Sequence, residues 1–201
     1  MSEENFSPQD SLALIQGMIN KTKENISEKS VFFLLWGWLT FIACLGQFIL
    51  KHVINYEKHY QVWWIMLVGI VLSVYYGSRM GKRRKVKTYI DESMGFLWTG
   101  MAVSFFILTI ILSAIGWANT VFPFYTLLYG LGTFVSGCFL KFKPLIIGAI
   151  VAWVLAIAGA FLSYDYQMLT GAAAILFSYI IPGHLLNALK KEKEHNAIAN
   201  V

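Results

Sequence analysis

Charge is what this chain has least of. Only 13% of its 201 residues are charged, against about a quarter in soluble globular proteins, and the scarcity is uneven. Six long apolar stretches hold no Asp, Glu, Lys or Arg between their ends. An ionisable group at the centre of a bilayer-spanning helix costs about 2.5–3.5 kcal/mol on insertion scales, so such groups mark ion paths, proton relays and buried acids. Their absence argues against proton-coupled transporters, voltage sensors and intramembrane carboxylate proteases. Also missing are a GxSxG nucleophile turn, an HExxH zinc motif, a phosphate loop and a CxxCH haem site. Enzymatic readings thereby lose their usual carriers, and no cofactor is expected. Cys44 and Cys138 lie in separate apolar runs without metal-site or disulfide spacing. They read as small hydrophobes.

The bulk of the chain is apolar, 57% by composition. Its runs fall at residues 31–50, 62–77, 95–116, 121–140, 144–163 and 166–188, and most reach the roughly 20 residues that cross about 30 Å of hydrocarbon as a helix. The run at 62–77 is the shortest. Continuous apolarity, without the alternation of barrel strands, selects helices, because lipid leaves no partner for an open backbone. The first run lacks a small-x-small cleavage site and is expected to stay as an anchor. Trp63 and Trp64 open the second run, Trp117 follows the third, and Trp36, Trp38 and Trp98 lie toward inner ends, as interfacial belts require. Only Trp153 falls mid-span.

Positive charge sets the orientation. Residues 79–87 read RMGKRRKVK, with Arg79, Lys82, Arg83, Arg84, Lys85 and Lys87 cationic. With the N-terminus inside, the inner segments hold fourteen of the sixteen Lys and Arg, and the outer loops only Lys51 and Lys58. An excess of this kind marks the cytoplasmic side. The basic stretch is expected to anchor an inner loop at the anionic membrane face, where each cation contributes about 1 kcal/mol. Nucleic acid is not expected as a partner, since no aromatics interleave the cations.

Before the first run, Ser7, Pro8 and Asp10 form a helix start. Leu12, Ile15 and Ile19 then fall on one face, flanked by Leu14 and Met18. This predicts an amphipathic helix over residues 7–27 that lies along the inner membrane surface, docks on a partner or packs on the protein's own inner loops. Gly148, Ala152, Ala156 and Ala160 recur every four residues, Gly132 and Ser136 do likewise, and residues 171–174 are all small. Close packing of the last three spans follows, since small residues let helix backbones meet in lipid. The bulkier faces of the first three suit lipid or a partner's helices.

Few polar candidates remain. His52 and His59, with Glu57 between them, read as solvated loop residues that lack the further ligands of a zinc site. Pro182 predicts a kink over residues 178–183, with His184 beside the carbonyls it frees. Gln47, Thr133, Ser136 and the Pro182 kink are the residues that would line a route for solute. Such uncharged groups more often hydrogen-bond between helices, at about 0.6 kcal/mol each.

The leader SLALIQGMINKTKENISEKS, the run LLWGWLTFIACLGQFIL and the late motif SYIIPGHLL together resemble a group of small uncharacterised integral membrane proteins of Bacteroidetes-type bacteria. The resemblance covers essentially the whole chain, through helix-start, packing and kink features. It implies at most a loose regulatory association, and no functional residue is carried over.

The expected protein is all-α: a polytopic bundle of six transmembrane helices as three hairpins over residues 31–188, an N-terminal cytoplasmic amphipathic helix within 1–30 and a short cytoplasmic tail from 189. It is expected in the bacterial inner membrane with both termini cytoplasmic. Its expected function is non-enzymatic, through a cytoplasmic or membrane protein partner, with Leu12, Ile15, Ile19, Arg83, Arg84 and Lys85 as contacts. The alternative is a small channel or transporter for an uncharged or weakly polar solute, as a homo-oligomer.

Overall fold

The computed structural model describes residues 30–83 and 89–188. Among these residues there is no strand, and six helices are long and apolar enough to cross a membrane. They are α1 (Ser30–Val53), α2 (His59–Arg79), α3 (Tyr89–Ala114), α4 (Ala118–Leu140), α5 (Lys143–Ala160) and α6 (Tyr164–Ala188). By length and apolarity they fit a multi-pass membrane protein. The leader helix expected over 7–27, the tail from 189 and residues 84–88 of the basic stretch lie outside the described residues.

Each predicted apolar run falls on one helix, with shifted ends. α3 starts early because Asp91 and Glu92 occupy its first turn, where acids suit the positive end of the helix dipole. It stops at Ala114, and Gly116 turns the chain with φ +77° while the Trp117 amide returns to the Leu112 carbonyl at 2.8 Å. A left-handed residue closed by such a bond is a standard helix stop. Lys141 does the same work between α4 and α5, at φ 50°, and Pro144 then sits in the first turn of α5, where its missing N–H leaves nothing unbonded.

Lipid tails are as apolar as leucine, so helices associate in them by close packing more than by burial. α6 is the axis of that packing, with 56% of its span buried against 6% for α2. Pro182 cannot donate to the turn before it, and the chain answers with a π-helical turn at Leu176–Ile180 where the Ile181 amide reaches back to the Leu176 carbonyl. The widened turn presses on α5 at Gly148. A β-carbon there would stand 2.4 Å from the Phe177 carbonyl oxygen and 2.9 Å from Ser178 Cα. The stripe of small residues on α5 continues through Ala152 and Ala156 as predicted, then passes to Gly159 instead of the exposed Ala160. At 3.6 residues per turn a four-residue repeat drifts off the contact face. Gly159 meets Thr170 of α6, and Trp153 fills the notch left by Gly130 of α4 while its indole donates to the Leu127 carbonyl at 3.2 Å.

α1 belongs to this core, a departure from its predicted bulky, outward role. Ser30, Phe33, Gly37, Thr40, Cys44 and Gln47 are all buried, at alternating spacings of three and four that trace one helix face. Gly37 lies against Tyr179 and Ile180 of α6, and Gly183 of α6 against Leu34. α2 and α3 are peripheral. α2 docks on α1 at Gly69, under Leu39 and Trp36, with the Trp36 indole bonded to Ser73 Oγ at 3.0 Å. α3 leans on α4 through Trp98 and Met101 at Gly132, and its other faces carry exposed Phe96, Val103, Phe106 and Ile110.

Gly148→Ala is expected to destabilise the bundle by about 1–3 kcal/mol, the usual cost of overpacking, read as a lower unfolding temperature in nanodiscs. Gly95→Ala and Gly100→Ala, whose added carbon meets nothing within 4 Å, should leave it unchanged or slightly raised, since Ala is the better helix former by about 1 kcal/mol. Equal behaviour of the three would show that α5 and α6 do not touch at Gly148.

Candidate functional site

Polar side chains gather in two places. The first is the end of the bundle where α1 finishes and α2 and α6 begin. Gln47, 2% exposed, stands at its centre. The Trp63 indole donates to Gln47 Oε1, and because an indole can only donate, the amide orientation is settled. Gln47 Nε2 therefore donates both its hydrogens, to the Tyr164 hydroxyl at 2.9 Å and to His59 Nδ1 at 3.0 Å. His59 must then carry its proton on Nε2, and a proton on Nδ1 would break this bond. Three helices are joined through one amide.

Beside it lies an ion pair across the same helices. Lys51, in the final π-helical turn of α1, sits 2.8 Å from Asp165 Oδ1 in the first turn of α6, and its ammonium lies 4.0 Å over the Tyr164 ring. His52 Nδ1 is 3.1 Å from Asp165 Oδ2, with its ring stacked on Phe48 at 5.1 Å. These groups are partly exposed, so the pair contributes at most about 1 kcal/mol. His52 and His59 were expected as solvated loop residues; each instead has its own partner. Among the described residues, no three His, Cys, Asp or Glu side chains come together as a metal site.

The second gathering is a seam of buried polar groups where α1, α4 and α6 meet, holding Thr40, Thr133, Ser136, Ser178 and Tyr179. Ser136 and Ser178 each donate to the carbonyl four residues back, at 2.7 Å, the usual way a helix absorbs a hydroxyl. Aromatic rings wall the seam: Tyr129 stands perpendicular to Tyr179 at 5.5 Å, and Trp98 to Tyr179 at 6.0 Å.

The predicted route residues Gln47, Thr133, Ser136 and Pro182 are all buried on these three helices. Gln47 is fully hydrogen-bonded and Ser136 is bonded to its own helix. His184 departs from its expected place beside the carbonyls freed by Pro182. Two residues on is about 200° around a helix, so the imidazole is exposed and lies 6.4 Å from Trp38. Leu12, Ile15, Ile19, Arg84 and Lys85 lie outside the described residues, and Arg83 is described only as the last residue of the helical stretch Ile65–Arg83, which carries α2 past Arg79. The pairing of Lys51 with Asp165 was missed in the sequence, although Gln47 and Lys51 share the helical face that begins at Ser30. The signal lay in that spacing.

Replacing Gln47 by Leu leaves the Trp63 N–H without its acceptor, and the Tyr164 hydroxyl and His59 Nδ1 without their donor, at about 1–3 kcal/mol for each group left unpaired away from water. The expected outcome is a fall in unfolding temperature several times that of Lys51→Ala, followed by tryptophan fluorescence. An equal effect of the two substitutions would show that the amide joins nothing. No protein-family model, no curated protein and no solved structure matches the chain.

Proposed function

We propose that this is a multi-pass protein of the bacterial inner membrane that acts without catalysis, through protein interaction, as a regulatory or accessory subunit. Its six helices form three hairpins joined on the cytoplasmic side, with both termini in the cytoplasm, as the inward bias of Lys and Arg favours. The observation that carries this reading is the fate of the polar side chains. Gln47 is used up between helices, Ser136 and Ser178 bond their own backbones, and Asp165 is paired with Lys51. What faces outward along α2 and α3 is mostly apolar, with Val71 67% and Phe106 68% exposed, and the exposed Thr99, Ser104 and Thr109 bond back to their own helix. Those faces suit lipid or the helices of a membrane partner, while the amphipathic sequence at 7–27 and the cations at 79–87 suit a cytoplasmic one.

A channel or transporter for a small uncharged solute is the second reading. One observation favours it: the hydroxyls of Thr40, Thr133 and Tyr179 are buried in the seam without a hydrogen-bond partner. The engagement of Gln47 weighs the other way.

Deleting residues 1–27 is expected to release a specific cytoplasmic protein that crosslinks to the full chain in intact cells, with the unfolding temperature of the bundle unchanged. Recovery of the full-length protein alone from gently solubilised native membranes contradicts the interaction reading. Flux of a small neutral solute through liposomes, abolished by Ser136→Leu, would establish the second.

A further inference from the structure

Hydroxyl groups elsewhere in the spans show what a helix does with them when nothing else is at hand. Thr99, Ser104, Thr109, Ser136 and Ser178 each donate to the carbonyl four residues back, at 2.7–2.9 Å. Thr40 and Thr133 do not. Thr40 is 2% exposed, Thr133 is 0% and Tyr179 is 2%, and none of their three oxygens has a hydrogen-bond partner. They come from three helices, α1, α4 and α6, at the seam where those helices meet. Thr40 neighbours Tyr129 and Thr133 neighbours Tyr179, but neither pair meets hydrogen-bond geometry. The Tyr129 and Tyr179 rings, perpendicular and 5.5 Å apart, set the two pairs side by side in the core.

Buried polar atoms are almost always satisfied, by protein or by an internal water with two to four polar partners. The helix backbone offers the threonines a local bond that both decline. The two threonines and the two tyrosines lie together where the three helices meet. No formal charge lies within the middle of any span, so nothing at this place compensates an ion, and hydroxyls both donate and accept.

We infer that Thr40, Thr133, Tyr179 and Tyr129 form an internal binding site for a small neutral hydrogen-bonding molecule, occupied by water in the resting protein. The bound water bridges α1, α4 and α6 in the middle of the bundle, as Gln47 bridges α1, α2 and α6 at its end. The site stands independently of the interaction reading, since it concerns only how the core is held.

The test uses the full chain in nanodiscs. A structure determined at a resolution that shows ordered water should contain a density peak within about 3.2 Å of at least two of the three oxygens. Thr40→Val, Thr133→Val and Tyr179→Phe should each lower the unfolding temperature by about 2–4 °C. The double variant Thr40→Val, Tyr179→Phe should lose less than the sum of the two single losses, because the second removal acts on a water already loosened. Replacing sodium and potassium by choline should change nothing. The inference fails if that map shows no peak, or if the near-isosteric substitutions leave the temperature unchanged or raise it, as expected for hydroxyls that were never satisfied. A sodium-dependent stabilisation would assign the oxygens to a cation and overturn it equally.

Discussion

A polar atom inside hydrocarbon has no bulk water to turn to, so its partner must come from the protein or from a water the protein holds within itself. Most of this bundle's internal order follows from that constraint. Gln47 satisfies it by spanning three helices, Ser136 and Ser178 by turning back on their own backbones, and Trp153 by lending its N–H to the Leu127 carbonyl. Asp165 and Lys51, partly exposed at the bundle end, pair with each other. Because these groups hold one another, they do not form an open polar surface along the spans. The exposed surface of α2 and α3 is left mostly to apolar side chains.

The same constraint shapes the backbone. Pro182 removes one helical hydrogen bond, and the turn at Leu176–Ile180 widens to accommodate the loss. A wider turn needs more room, and Gly148 provides it by having no side chain. One proline in α6 and one glycine in α5 are therefore a matched pair. Gly37, facing the same stretch of α6 from the other side at Tyr179 and Ile180, brings α1 into the arrangement. Packing and polar satisfaction meet there, since Ser178 and Tyr179 lie in both.

Much of this was legible in the residues. Runs of apolar sequence located six helices to within a few positions, and the small residues at 148, 152 and 156 marked the contact face of α5. What could not be read was which helix would receive each face. α1 shows bulky aromatics in its sequence, yet its buried face is set by Gly37, Thr40 and Gln47, three residues spread over three turns. His52 and His59 looked solvated because their partners, Asp165 and Gln47, are more than ten residues away in sequence. His184 was placed by its neighbour Pro182, when helical rotation turns it to the opposite side. Local pattern reports periodicity; pairing between distant segments depends on how the helices are finally arranged.

Accessibility along the spans probes this division between a closed polar interior and an apolar outside most directly. Spin labels placed singly at Thr133, Ser136, Ser178, Phe106 and Ile110 in nanodisc-held protein would be exposed in turn to oxygen, which partitions into lipid, and to a water-soluble nickel chelate too large to follow a single buried water. Phe106 and Ile110 should respond strongly to oxygen and not to nickel, and the seam positions weakly to both. A strong nickel response at Thr133 and Ser136 would mean that a hydrated conduit runs through the bundle, and the interior would then be a passage.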